Sequence, residues 1–175
     1  MNHVLTTGRL VLRPVRARDL DELRAHWTSP EVRRFLFDGD VLSAAEIAEI
    51  VETSEQDFAA SGYGVWTVRK REGIEQGAES QGAELLGTAG LRSLEGVGVE
   101  VVYSLAPSAW GYGYATEAAR AVVEHALDTL GLPEVLAEVD EGNAASVAVA
   151  ERLGMTPFET IPGLLGPMTR YRRTR

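Results

Sequence analysis

The stretch from Glu100 to Thr116, EVVYSLAPSAWGYGYAT, gathers residue types at a spacing that chemistry uses. A strand-forming run passes into a loop carrying Gly111 and Gly113, and the loop leads straight into an apolar helical pattern. The first N–H groups of a helix have no intrahelical acceptor, and the aligned peptide dipoles leave positive potential there. Glycine lets the backbone approach an anion with no Cβ in the way. Such a cradle suits a pyrophosphate, although glycine spacing by itself fits equally a turn that holds nothing. The pattern is not a dinucleotide fingerprint, which needs a third glycine where Thr116 stands. Nor is it a P-loop, because no GK[ST] follows.

Composition narrows the chemistry further. The chain has no cysteine, so disulfides, thiolate nucleophiles, Cys-based zinc sites and an acyl-cysteine intermediate are excluded. His3, His26 and His125 show no ligand spacing, and no metal is expected. Seventeen basic against 26 acidic residues give a net charge of −9, a surface that repels nucleic acid and favours cationic partners such as amines, polyamines or basic peptides. The one dense basic cluster, Arg170, Arg172, Arg173 and Arg175, reads as a solvated last strand and tail. No apolar run is long enough to span a bilayer, and the opening MNHVLTTGRL lacks the layout of a secretory signal, so the expected location is cytoplasmic, with no membrane partner.

The elements that must position the loop follow from periodicity. Gly8 to Val15 reads as a strand ended by Pro14, and Asp19 opens a helix with Leu20, Leu23 and Trp27 on one stripe. Ser29-Pro30 restarts helix over Glu31 to Phe37, and Ser43 with Glu46 forms a capping-box pattern ahead of a helix to about Ala60. Strands are predicted at Val65–Lys70, Glu84–Leu91 and Val97–Leu105, with residues 71–83 a long, mobile hairpin loop. Thr116 to Leu130 carries the clearest apolar helical stripe. A strand over Val135–Val139, a helix over Ala144–Leu153 and strands over Met155–Glu159 and Met168–Arg173 complete one α/β domain, residues 1–175, with a mixed sheet.

At AWGYGYATEA the chain resembles the acetyl-CoA signature of the GNAT acetyltransferases, and as a whole it looks like their RimJ/RimL-like branch. Gly113 and Ala115 match the general signature, while Trp110 stands where Gln or Arg is usual, as often in that branch. RLVLRPVRARDLDEL, WTSPEVRRFL and GNAASVAVAERLGM resemble three further segments of the branch in the same order. The resemblance implies the GNAT acyl-CoA N-acyltransferase fold: a mixed, mostly antiparallel sheet split by a V-shaped opening and flanked by helices. It implies acetyl-CoA as co-substrate, a primary amine as acceptor, direct transfer without a metal, and an assembly that in relatives is often a homodimer.

Site roles carried over by the resemblance are these. Tyr103, Ser104 and Leu105 would pair by main chain with the pantetheine arm in the opening, and an N–H near Leu105 would face the thioester oxygen. Trp110, Gly111, Tyr112, Gly113, Tyr114, Ala115 and Thr116 would form the pyrophosphate loop. Asn143 would contact the cofactor arm, or simply cap its helix. Ser146 would sit near the CoA sulfur and help protonate the thiolate, with an exposed helix serine as its alternative, and Arg152 would reach a CoA phosphate or simply lie on a solvated helix face. Glu100 is the candidate base, with a salt-bridged strand-end carboxylate as its alternative, and Tyr171 the candidate proton donor, with a place in an apolar stripe as its own. Residues 25–64 would overhang the acceptor, with Trp27, Phe35, Phe37 and Trp66 as wall or core. Two other readings stay open: a non-catalytic acyl-CoA-binding module and an unrelated nucleotide-binding α/β protein.

Overall fold

The computed structural model describes residues 2–34, 36–71 and 83–175. Eight strands form one sheet in the order β1-β2-β3-β4-β5-β6-β8-β7. They are β1 (Leu5–Thr6), β2 (Leu10–Pro14), β3 (Val65–Lys70), β4 (Leu85–Leu94), β5 (Gly98–Leu105), β6 (Glu134–Asp140), β7 (Thr156–Gly163) and β8 (Gly166–Thr174). Five α-helices flank the sheet: α1 (Leu20–Trp27), α2 (Pro30–Arg33), α3 (Ala44–Ser61), α4 (Tyr114–Glu124) and α5 (Ala144–Arg152).

Every neighbouring pair is antiparallel except β5 and β6. Those two run parallel and meet at a single register position, Glu100 opposite Leu136. Beyond it they part. The expected mixed sheet with a V-shaped opening is therefore the observed one.

Alternation along β5 assigns its two faces. Val101 and Leu105 are buried, and Val99 and Tyr103 pack beside them, in a core that includes Ala118, Ala119, Val122 and Val123 of α4 and Val149 and Ala150 of α5. Glu100, Val102 and Ser104 point to the other face. There α1, α2 and α3 form a second core around Leu23, Trp27, Val32, Ile47 and Val51. Val122 and Val123 are fully buried, and each such side chain contributes about 1.5–3 kcal/mol by leaving water.

Local sequence explains the element ends. Ser43 accepts from the Glu46 N–H and Glu46 reaches back to the Ser43 N–H, the capping box expected for α3, and Gly62 closes that helix with φ 79°. Helix α4 continues as a π turn through His125–Thr129, consistent with the long apolar stripe. α1 is tied to the sheet where Arg69 donates to both carboxylate oxygens of Glu22 at 3.0 and 2.8 Å.

One expectation is corrected and one element is added. The short helix after Ser29-Pro30 stops at Arg33 rather than Phe37, because the chain turns left-handed at Phe37 and Asp38, with φ of 55° and 53°. The N-terminal β1 pair was invisible to periodicity, since two residues carry no period. The loop expected over 71–83 lies almost wholly outside the described residues, as does Phe35.

Replacing Ser43 with alanine should remove one reciprocal cap and lower the unfolding free energy by about 1 kcal/mol. Urea denaturation followed by circular dichroism measures this, and an unchanged midpoint would show that the cap contributes nothing.

Candidate active site

One cleft of about 2220 Å³ runs through the opening between β5 and β6. It is more than twice the upper range typical of a single small-molecule pocket, so two reactants fit side by side. At one end are Trp110, Gly111, Gly113, Tyr114, Ala115 and Thr116 with Arg120, Asn143, Ser146 and Arg152. On the α1–α3 face are Leu36, Phe37, Asp38 and Leu42 with Glu100, Glu138 and Asp140, and Asp140 adjoins the first group where its carbonyl accepts from the Asn143 N–H at 3.1 Å.

The loop end has the build of an anion site. Gly111 and Gly113 adopt φ of 83° and 78°, which is what makes glycine necessary there, since a Cβ at Gly111 would meet no atom within 4 Å. Gly113 is the N-cap of α4 and offers no side-chain cap, so the first N–H groups of the helix stay uncapped by any side chain. The hydroxyl of Thr116 is buried in that first turn without a hydrogen-bond partner. An orphaned hydroxyl beside uncapped amides and no blocking side chain fits an incoming phosphate.

The loop is held from two sides. Trp110 Nε1 donates to the Leu105 carbonyl at 2.9 Å, and Arg9 Nη1 donates to the Tyr112 carbonyl at 2.8 Å. Arg9 also pairs with Glu117 at 2.7 Å and lies over the Tyr114 ring, which stacks on Tyr112. Tyr112 itself does not line the cleft, so its ring supports the turn from outside.

Across the opening, Asn143 caps α5, accepting from the Ser146 N–H at 3.2 Å. Its capping role is thus present, and its position on the cleft wall leaves the cofactor role open as well. Tyr103 donates from its hydroxyl to the Ser146 carbonyl at 3.2 Å, bridging β5 and α5, and burial pushes that phenol up to about 12. Besides the main-chain role expected of Tyr103, its side chain spans the opening. Arg120 Nη2 donates to the Arg152 carbonyl at 3.0 Å, and both residues line the cleft.

On the acceptor face, Glu100 has a side chain only 2% exposed, ion-paired with the exposed Arg92. Burial raises its pKa, Arg92 opposes the rise, and the neighbouring Glu138 carboxylate adds to it. Glu100 is thus salt-bridged, as its alternative reading has it, and it also lines the cleft. Tyr171 is not brought there. It packs 6% exposed in the core on the α4–α5 face, because it pairs with Ala137, whose side chain points the same way. Trp66 is likewise core, fully buried against Phe58 and His125, whereas Trp27 and Phe37 do border the cleft.

Sequence reasoning missed a buried hydrogen-bonded chain under the acceptor floor. His26 Nε2 lies 2.9 Å from Ser104 Oγ, Ser104 lies 3.1 Å from Thr88, and Trp27 Nε1 donates to Thr88 at 3.2 Å. Burial lowers His26 to about 4, with the Ser104 contact opposing, so the imidazole is neutral at physiological pH. Only the register of β4 and β5, Thr88 opposite Ser104, makes the chain possible.

The chain belongs to the GNAT acetyltransferase family, whose domain model, Acetyltransferase (GNAT) domain, matches residues 9–156. It is accordingly an N-acetyltransferase. It is 31% identical to FsC-acetyl coenzyme A-N(2)-transacetylase of Aspergillus fumigatus over 98% of this chain and 76% of that protein. Among solved structures it resembles an acetyltransferase from Agrobacterium tumefaciens at 26% identity, with a TM-score of 0.81 over 98% of this chain and 94% of that one. The fold also matches RimL, the ribosomal L7/L12 alpha-N-protein acetyltransferase solved with coenzyme A, at 17% identity and a TM-score of 0.78 over 98% and 97% of the two chains.

Two outcomes test the site. Gly113→Glu puts a side chain and a negative charge into a left-handed turn at the helix terminus, and should reduce coenzyme A binding by at least about a hundredfold in calorimetry; retained affinity would argue against the loop as the phosphate site. His26 binds its proton near pH 6.5 when unfolded and only near 4 when folded, so stability is complete above 6.5 and falls as the pH drops through that window. The loss should total about 3 kcal/mol, and His26→Gln should flatten that part of the stability–pH curve.

Proposed function

We propose that this chain transfers the acetyl group of acetyl-CoA to a primary amine by direct attack within a ternary complex. The observation that carries the reading is the single-register contact between β5 and β6, which opens a cleft large enough for both reactants. When bound, acetyl-CoA supplies an acyl group activated as a thioester. The main chain of Tyr103, Ser104 and Leu105 would pair with the pantetheine arm, much as an added strand pairs with a sheet edge. The amides from Gly111 to Ala115 and the Thr116 hydroxyl would hold the pyrophosphate, and Arg120 and Arg152 lie where further phosphate charge would fall.

The amine must lose a proton to attack, and Glu100 is the group placed to receive it, directly or through water. Its raised pKa makes it a better base than an exposed carboxylate, and the Arg92 guanidinium opposes the rise by favouring the ionised form. Ser146 and the Tyr103 hydroxyl, joined across the opening, are the protic groups nearest the leaving thiolate in this reading. Tyr171, packed in the core, takes no part in it.

The branch resemblance favours a protein N-terminal amine, and the RimL-like fold supports that class. A small-amine acceptor is the second reading, favoured by the carboxylates Glu31, Asp38, Glu46 and Glu49 that crowd the acceptor end.

Thiol release from acetyl-CoA, measured across basic peptide N-termini, amino acids and polyamines, tests the whole proposal. At least one class should turn over well above background; coenzyme A binding with no release for any amine would instead indicate a binding module. Glu100→Gln should lower kcat/KM by about a hundredfold and remove the rise in rate with pH through the pKa of that carboxylate.

A further inference from the structure

At the acceptor end, three carboxylates lie on one face of the opened strands: Glu100 on β5, and Glu138 and Asp140 two residues apart on β6. Two of them have cationic partners. Glu100 is held by Arg92, and Glu138 lies 3.8 Å from Arg170. Asp140 differs. It is 6% exposed, and its Oδ1 is buried with no hydrogen-bond partner. Leaving a buried carboxylate oxygen unpaired is costly, so it needs an explanation.

The charge that Asp140 feels makes matters worse. Asp38, from the overhanging loop, is close enough for its field to add to the effect of burial, and the two together raise the Asp140 pKa. Asp38 is held there by strained backbone, with Phe37, Asp38 and Gly39 all left-handed at φ of 55°, 53° and 81°. Strain of this kind persists where a ligand clamp needs it. The Phe37 ring, edge-on to Trp27 at 5.6 Å, fixes the loop from below.

We propose that Asp140 and Asp38 form a socket for a second cationic nitrogen of the acceptor, so that the preferred substrates are diamines or polyamines rather than monoamines. The inference rests on the amine-transfer reading, takes its small-amine form, and specifies the substrate class. A metal ion is a poorer occupant: among the described residues no group of three His, Cys, Asp or Glu side chains is placed to hold one, and a hard cation needs six or more oxygens. The walls suit an alkyl chain instead, since Leu36, Phe37, Leu164 and Met168 border the same space. Asp140 follows Leu136, the partner of Glu100, by four residues, which places the socket about 13 Å along the strand from the proposed base. Long diamines should therefore gain more than short ones.

The test compares 1,8-diaminooctane with 8-amino-1-octanol, equal in length but with one end neutral. Each is titrated calorimetrically into the protein saturated with coenzyme A, so the readout needs no turnover. The diamine should bind at least about tenfold more tightly, the scale of one charge-assisted hydrogen bond. Asp140→Asn and Asp38→Asn should each shrink that preference to less than about twofold; asparagine keeps the shape of Asp140 and tolerates the left-handed backbone at Asp38. Equal binding of the two ligands by the wild-type chain, or a preference that survives both substitutions, would overturn the socket. Coenzyme A titration and acetyl-CoA turnover on the same samples judge the transfer reading separately, since that reading fails if coenzyme A does not bind, whatever the amine ends prefer.

Discussion

The parting of two parallel strands is the constraint on which the rest of this molecule depends. β5 keeps its full ladder with β4, and β6 keeps its ladder with β8, but between them only Glu100 and Leu136 are in register. Buried main-chain N–H and C=O groups are almost always paired, so edges that diverge inside a sheet must be solvated or satisfied by something bound. The opening is therefore both a structural cost and the place where a strand-like ligand gains most. The two halves of the sheet are joined by the core on the α4–α5 face, and Tyr103 ties them together across the gap.

The two faces of the opened sheet do different work. On one, α4 and α5 bury an apolar layer and deliver their N-termini to the same end of the cleft, where uncapped amides, Thr116 and two arginines concentrate positive potential. On the other, α1 to α3 build a smaller core whose overhanging loop is acidic. The cleft is thus polarised, basic where an anion would lie and acidic where a cation would approach. A net charge of −9 strengthens the acidic end without erasing the local field of the helix terminus, because the helix effect is confined to its first turn.

Buried polar groups mark where this architecture departs from simple packing. His26, Ser104, Thr88 and Trp27 satisfy one another and stiffen the floor beneath the acceptor. Thr116 and Asp140, in contrast, are buried and incomplete, and both line the cleft. Among the described residues four buried side-chain atoms lack a hydrogen-bond partner, and the oxygens of Thr116 and Asp140 are the two that line the cleft, the others being Arg33 Nε and Arg170 Nε. Each such oxygen costs stability that a bound group could restore.

Much of this was legible in the chain itself. Hydrophobic period located α3 and α4, the Ser43–Glu46 spacing located a cap, and the glycines at 111 and 113 announced a left-handed turn into a helix, because these are properties of neighbours in sequence. The resemblance of the Trp110–Ala115 segment, with three others in order, carried the family and the opening of the sheet. Tertiary structure decided the rest. Periodicity placed Tyr171 on a strand but could not say which face it took, and pairing with Ala137 buried it in the core. His26 and Ser104 are 78 residues apart, and Asp38 and Asp140 more than a hundred; only strand register and the turn at Phe37 bring them together. Local order is written in local spacing, whereas burial, pairing and the loss of a partner depend on what the folded chain lays alongside.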